Sequence, residues 1–192
     1  MKNQYKYKIL QDYSYSGPFT FKAIQFKNIF KILAWRNEQK NILRQKKNIG
    51  KLAQIIYYMK EIINQEYKLK PKQLLFAIFD ENEIIGYCGL VHISWLDKRA
   101  EISFLTTTSI SKMTDKYEEI MAETLKFLIN IGSFIYMNRL FTETYAFREK
   151  HISVLEKYGF ELEGVLHENI YIDGNYHDSL MHWLKIKKEK VQ

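Results

Sequence analysis

The chain has 192 residues, 46% hydrophobic and 15% aromatic, with two prolines, eight glycines and one cysteine. That composition supplies a substantial core for one domain and excludes a long disordered tract, and no apolar run reaches the roughly 18 residues of a membrane span. The net charge of +7 is uneven: residues 1–70 hold fifteen Lys and Arg against four Asp and Glu, and the rest hold fourteen against eighteen.

Phe19-Thr20-Phe21-Lys22-Ala23-Ile24 alternates weakly after Gly17-Pro18 and predicts a first strand. Phe26, Ile29, Phe30, Leu33 and Ala34 recur at helical spacing, and Trp35-Arg36-Asn37 closes that helix. A second helical pattern runs over residues 49–67, followed by a basic connector around Pro71. Leu74 to Phe79 is short and apolar, fit for a buried strand. The polar turn 80–83 joins it to a strand over Ile84–Ser94, as an antiparallel hairpin. Arg99 to Leu105 is a fourth strand, and residues 109–116 are polar and irregular. Tyr117 to Phe134 reads as a helix, Leu140 to Tyr145 as a strand, and Glu149 to Tyr158 as a helix that Gly159 ends. The last strands, Phe160–Leu166 and Tyr176–Ile186, join near Asp173-Gly174-Asn175, a strong turn signal. The order predicts a mixed α/β domain around a central, mostly antiparallel sheet, with no linker long enough to divide it.

Met1 to Gln11 is polar and lysine-rich without an apolar signal core, which points to a cytoplasmic protein. Cys88 has no partner for a disulfide or a metal cluster, and its apolar surroundings predict a buried thiol. The basic first half suits a polyanion: coenzyme A, a nucleotide-sugar or nucleic acid. A composition rich in Lys, Asn, Ile and Tyr accounts for it equally well. No nucleic-acid-reading module is recognisable.

Several local sequences resemble the GNAT acetyltransferases. Ile85-Gly86-Tyr87-Cys88-Gly89-Leu90 is similar to a characteristic strand of that family, and Ala100-Glu101-Ile102-Ser103-Phe104 to its fourth strand. Leu155-Glu156-Lys157-Tyr158-Gly159-Phe160-Glu161-Leu162-Glu163-Gly164 resembles its C-terminal signature. The resemblance covers about residues 19–186, and the whole chain, 1–192, reads as one such domain. Trp35-Arg36-Asn37 is similar to a stretch in members that acetylate nucleotide-linked amino-sugars, of the pseudaminic-acid pathway type. It also resembles, more loosely, the ribosomal-protein N-acetyltransferase branch. The chain departs from the family where small residues normally admit a diphosphate at a helix start. With Lys116 in the Arg/Gln place, Glu119 and Met121 replace those small residues. Either Ser111-Lys112-Met113-Thr114 supplies the site from before the helix, or the domain is a non-catalytic binding module.

The resemblance implies an acetyl-CoA-dependent N-acetyltransferase without metal, with splayed fourth and fifth strands and no covalent enzyme intermediate. The acceptor it implies is a small amine, first a nucleotide-linked amino-sugar and second a protein or peptide N-terminus. It implies donor contacts from Phe104, Leu105, Thr106, Thr107, Lys112, Thr114, Lys116 and Tyr117, with the oxyanion met by an N–H near Phe104 or Leu105. Arg148 departs from the Asn that many members carry there and is either a further donor contact, through a phosphate, or a surface residue at a helix start. Glu101 is the first candidate base, raised by burial; Glu143 and His92 follow. The family's acid is a tyrosine one turn before Gly-Phe. Val154 or Leu155 stands there, so Tyr145 is the candidate donor. Trp35, Arg36 and His182 are candidates for the acceptor pocket; the alternative for Trp35 and His182 is a place in the core. Exposed edge strands leave a homodimer open.

Overall fold

A computed structural model of the chain describes residues 15–66 and 68–187. The polar segment Met1–Gln11 lies outside the described residues. Seven strands form one sheet in the order β1-β2-β3-β4-β5-β7-β6. They are β1 (Thr20–Ala23), β2 (Leu74–Asp80), β3 (Glu83–Ser94), β4 (Arg99–Thr106), β5 (Arg139–Tyr145), β6 (Glu161–Ile172) and β7 (Asn175–Lys185). All neighbours pair antiparallel except β4 and β5.

Helices cover both faces because the strands alternate their apolar residues. On one face Phe76, Ile78, Cys88, Leu90, Ala100, Ile102 and Leu140 meet α3 (Thr114–Phe134) and α4 (Glu149–Lys157). On the other, Leu75, Ala77, Tyr87 and Leu105 meet α1 (Ile29–Glu38) and the segment that begins as α2 (Lys51–Tyr57). Cys88 is buried with a raised pKa, caused by burial, as its apolar run predicts. The second helix is not continuous: Tyr58–Ile63 is a π-helical turn, a feature that often marks functional sites.

Two boundaries differ from expectation. The long helix begins at Thr114, one turn before Tyr117, after a 3₁₀ turn over Ile110–Lys112. β6 reaches Ile172, because its pairing with β7 continues past a bulge between Leu166 and Ile170 to the Asp173-Gly174 turn. Apolar periodicity fades there because β6 is exposed along most of its length.

The pairing of β4 with β5 positions the site. The parallel ladder runs only from Arg99–Glu101 against Arg139–Phe141. Past Glu101 the two strands are no longer paired, and a gap opens between them.

Candidate active site

The main-chain groups facing the gap follow from the β3–β4 register. Thr107 N–H donates to the Ile85 carbonyl at 2.9 Å, and Leu105 lies opposite Tyr87, Ser103 opposite Gly89. Odd-numbered residues of β4 therefore spend their main-chain groups on β3. Phe104 and Thr106 turn theirs into the gap. Of the donor contacts expected from β4, the main chains of Leu105 and Thr107 are thus already engaged, and of the two N–H groups expected to meet the oxyanion, Phe104 rather than Leu105 is aimed outward. The Thr106 carbonyl is held by Gln39, whose side-chain N–H donates to it at 2.8 Å. Gln39 is buried, and its side-chain oxygen has no hydrogen-bond partner among the described residues.

Three connected hollows surround this edge. The gap holds a cavity of about 100 Å³ lined by Arg44, Glu101, Phe104, Glu143, Tyr145 and His151 among others. A cavity of about 550 Å³ adjoins it at the start of α3 and α4, where Lys40, Ser111, Lys112, Thr114, Tyr117, Arg148 and Lys150 contribute to the wall. On the α1–α2 side a third, about 600 Å³, is lined by Arg36, Arg44, Tyr57, Glu61, Lys72 and His92 among others.

Glu101 is 4% exposed and carries the guanidinium of Arg44 on one oxygen. Its other oxygen is 3.7 Å from His92 Nε2. Arg44 also reaches Glu143 at 3.3 Å, and Asn169 donates to the same carboxylate at 3.1 Å. The first candidate base is therefore buried as expected, but charge-paired rather than alone. His92 has a positive φ of 49° within the β3 irregularity between Val91 and Ser94, which brings its ring towards Glu101. Tyr145 is buried beside them, its pKa raised by burial and by the Glu143 charge. A phenol so placed stays protonated.

Arg148 and His151 line both the gap and the neighbouring cavity, and Tyr117 meets them from the wall of the latter. Arg148 donates to the Tyr117 oxygen at 2.9 Å, and Tyr117 lies 2.7 Å from His151 Nδ1. Burial pushes the Tyr117 phenol up. Burial, then Arg148, pushes the His151 imidazole well below its ordinary value.

The remaining candidates are scattered. Lys116 does not line the cavity at the start of α3 and α4: it pairs with Asp80 at 3.2 Å and with Glu119 at 3.4 Å, and lies over the Phe19 ring. Glu119 goes with it, so the carboxylate that would repel a diphosphate stands away from Lys112 and Thr114. His182 does not reach the acceptor side. It lies opposite Thr142 in the β5–β7 register, 4.0 Å from Glu156 of α4, and is fully buried on the α3–α4 face. Trp35 packs against the α1–α2 core while its neighbour Arg36 lines the cavity on the α1–α2 side. Arg44, Gln39 and His151 were not singled out by sequence. Arg44 belongs to the basic first half without standing out in it, and nothing local marks the other two.

The comparisons with known proteins can be set beside this geometry. The family described as acetyltransferase (GNAT) domain matches residues 21–181. The chain belongs to the GNAT acetyltransferases. It is therefore an acyltransferase whose acyl donor is acetyl-CoA. No curated protein matches the sequence. Similar solved structures include a spermidine N-acetyltransferase from Vibrio cholerae in complex with CoA and spermine. It is 17% identical with a TM-score of 0.76, over 89% of this chain and 97% of that one. A spermidine/spermine N-acetyltransferase from Vibrio cholerae with manganese ions is 18% identical at a TM-score of 0.68, over 88% and 92% of the two chains. A dodecameric spermidine N-acetyltransferase from the same organism is 17% identical at 0.70, over 88% and 94%. At such identities the likeness establishes the fold. The residues present also fit acetyl-CoA. Lys112, Arg148 and Lys150 offer cations for a diphosphate, and the unpartnered Gln39 oxygen offers an acceptor beside the strand edge.

Proposed function

We infer that this GNAT enzyme passes the acetyl group directly to the amine of a small acceptor carrying an anionic group, a nucleotide-linked amino-sugar being the first choice. The observation that carries the reading is the charge of the acceptor-side cavity. Arg36 and Lys72 contribute cations to its wall, with Glu61 as the carboxylate among its lining, while the Arg44 charge is met by Glu101 and Glu143. Such a wall favours an anion and opposes a polycation. Arg44, Leu43, Val91 and Ser103 line both this cavity and the gap, so an acceptor held here points its amine at Glu101.

The residues divide the work as follows. Lys112, Thr114, Arg148 and Lys150 hold the donor's phosphates. The Phe104 N–H, aimed into the gap, meets the thioester oxygen as negative charge develops on it. Glu101 takes the amine proton directly or through a water. Arg44 fixes the Glu101 carboxylate in place and lies between it and Glu143. The amine attacks from the α1–α2 face of the sheet, where these odd-numbered side chains project. No protein nucleophile takes part.

A mass-spectrometric screen with acetyl-CoA tests the acceptor class, using nucleotide amino-sugars, peptides with free N-termini, and polyamines. Gain of one acetyl group by an amino-sugar nucleotide is expected. Acetylation of peptides alone, or of polyamines alone, would overturn the acceptor assignment.

A further inference from the structure

The departing sulfur needs a proton, and the position where the family carries a tyrosine donor is Val154 or Leu155 here. Two other groups with a mobile proton line the gap, Tyr145 and His151. They stand on opposite sides of the sheet. Tyr145 shares the acceptor face with Glu101 and Glu143, whereas His151 belongs to α4 on the other face and also lines the donor cavity. Coenzyme A held in the donor cavity reaches the gap past the wall that His151 lines in both, so the sulfur lies on the His151 side.

The hydrogen bonds around His151 favour one tautomer. Arg148 can only donate, and it approaches both the Tyr117 oxygen at 2.9 Å and His151 Nδ1 at 3.3 Å. The Tyr117 hydroxyl, having accepted from Arg148, has its own proton to give to Nδ1 at 2.7 Å. Nδ1 is thus an acceptor, and the ring proton sits on Nε2. Among the described residues no hydrogen bond involves Nε2.

Resting on the donor-site reading above, we propose that Arg148, Tyr117 and His151 form a proton relay that protonates the leaving coenzyme A thiolate. As the carbon–sulfur bond breaks, its electron pair goes to sulfur. The Nε2 proton of His151 moves to sulfur, and the Tyr117 hydroxyl proton moves to Nδ1. The negative charge ends on the Tyr117 oxygen, beside the Arg148 guanidinium. Solvent returns the proton once coenzyme A has left. His151 is the group that touches the reacting sulfur; Tyr117 and Arg148 act through it.

Nitrogen NMR of histidine-labelled full-length protein tests the relay without any acceptor. It should show His151 protonated at Nε2 near neutral pH, with that resonance moving on addition of coenzyme A. In parallel, slow hydrolysis of acetyl-CoA should fall about 10²-fold in Tyr117→Phe and in His151→Asn, while calorimetric affinity for coenzyme A falls far less than the rate. A proton on Nδ1, an imidazole indifferent to coenzyme A, or rates unchanged in both variants would overturn the relay. So would affinity lost in step with rate, which marks a mere cavity wall. If the wild-type chain binds no coenzyme A, the donor-site reading itself fails, and the relay with it.

Discussion

The side chain of Gln39 donates a hydrogen bond to the main-chain carbonyl of Thr106 at 2.8 Å. Helix α1 thereby caps an acceptor on the open edge of β4, next to the cavity assigned to the donor. Gln39→Leu removes the donor and leaves a buried carbonyl unpaired. A loss of about 1–3 kcal/mol in urea unfolding is expected, together with a raised KM for acetyl-CoA. An unchanged KM would show that the Gln39 side chain does not border the bound donor.

Glu101 and Arg44 make a pair of unequal exposure, the glutamate side chain at 6% and the arginine at 54%. Glu101→Gln keeps a hydrogen-bond acceptor for Arg44 but loses the base. Its kcat should fall about 10²-fold or more with little change in melting temperature. Arg44→Ala leaves a buried carboxylate without its cation. Because Arg44 is half in solvent, the expected destabilisation is only about 1–3 kcal/mol. Circular dichroism and steady-state kinetics separate the two effects.

His151 and His182 are both buried, and burial lowers both pKa values from 6.5. His151 faces Arg148, Tyr117 and His182; the nearest charge to His182 is Glu156. Below the unfolded value the unfolded imidazoles bind protons that the folded ones refuse. Their contribution is complete above that value and is lost as pH falls towards the lowered folded values. Melting temperature should drop as pH is lowered from about 7 to about 5, and His182→Leu should flatten the dependence. An equal slope in the variant would exclude His182 as a source.

The fold was legible because its signals are local. Apolar runs, turn residues and the Gly159-Phe160 and Ile85–Leu90 blocks placed every strand and the major helices. The site was legible only in part. Glu101, Phe104, Tyr145 and Arg148 lie on or beside β4 and β5, so finding those strands found them. Gln39, Arg44 and His151 reach the gap through contacts between residues far apart in sequence, which no spacing rule encodes. His182 takes the place in the core that stood as its alternative to the acceptor pocket. Opposite Thr142 in the β5–β7 register, it lies on the α3–α4 face. Lys116 falls in the first turn of α3, where Asp80 at the end of β2 and Glu119 one turn on hold it away.

Titration of amide-labelled protein with acetyl-CoA tests the central claim most directly, that the thioester lies against the open edge of β4 between β4 and β5. The account predicts saturable shifts at the Phe104 and Thr106 amides, which face the gap, and smaller ones at Leu105, which is bonded to β3. Shifts confined to the β6–β7 hairpin, or none at saturating donor, would contradict it.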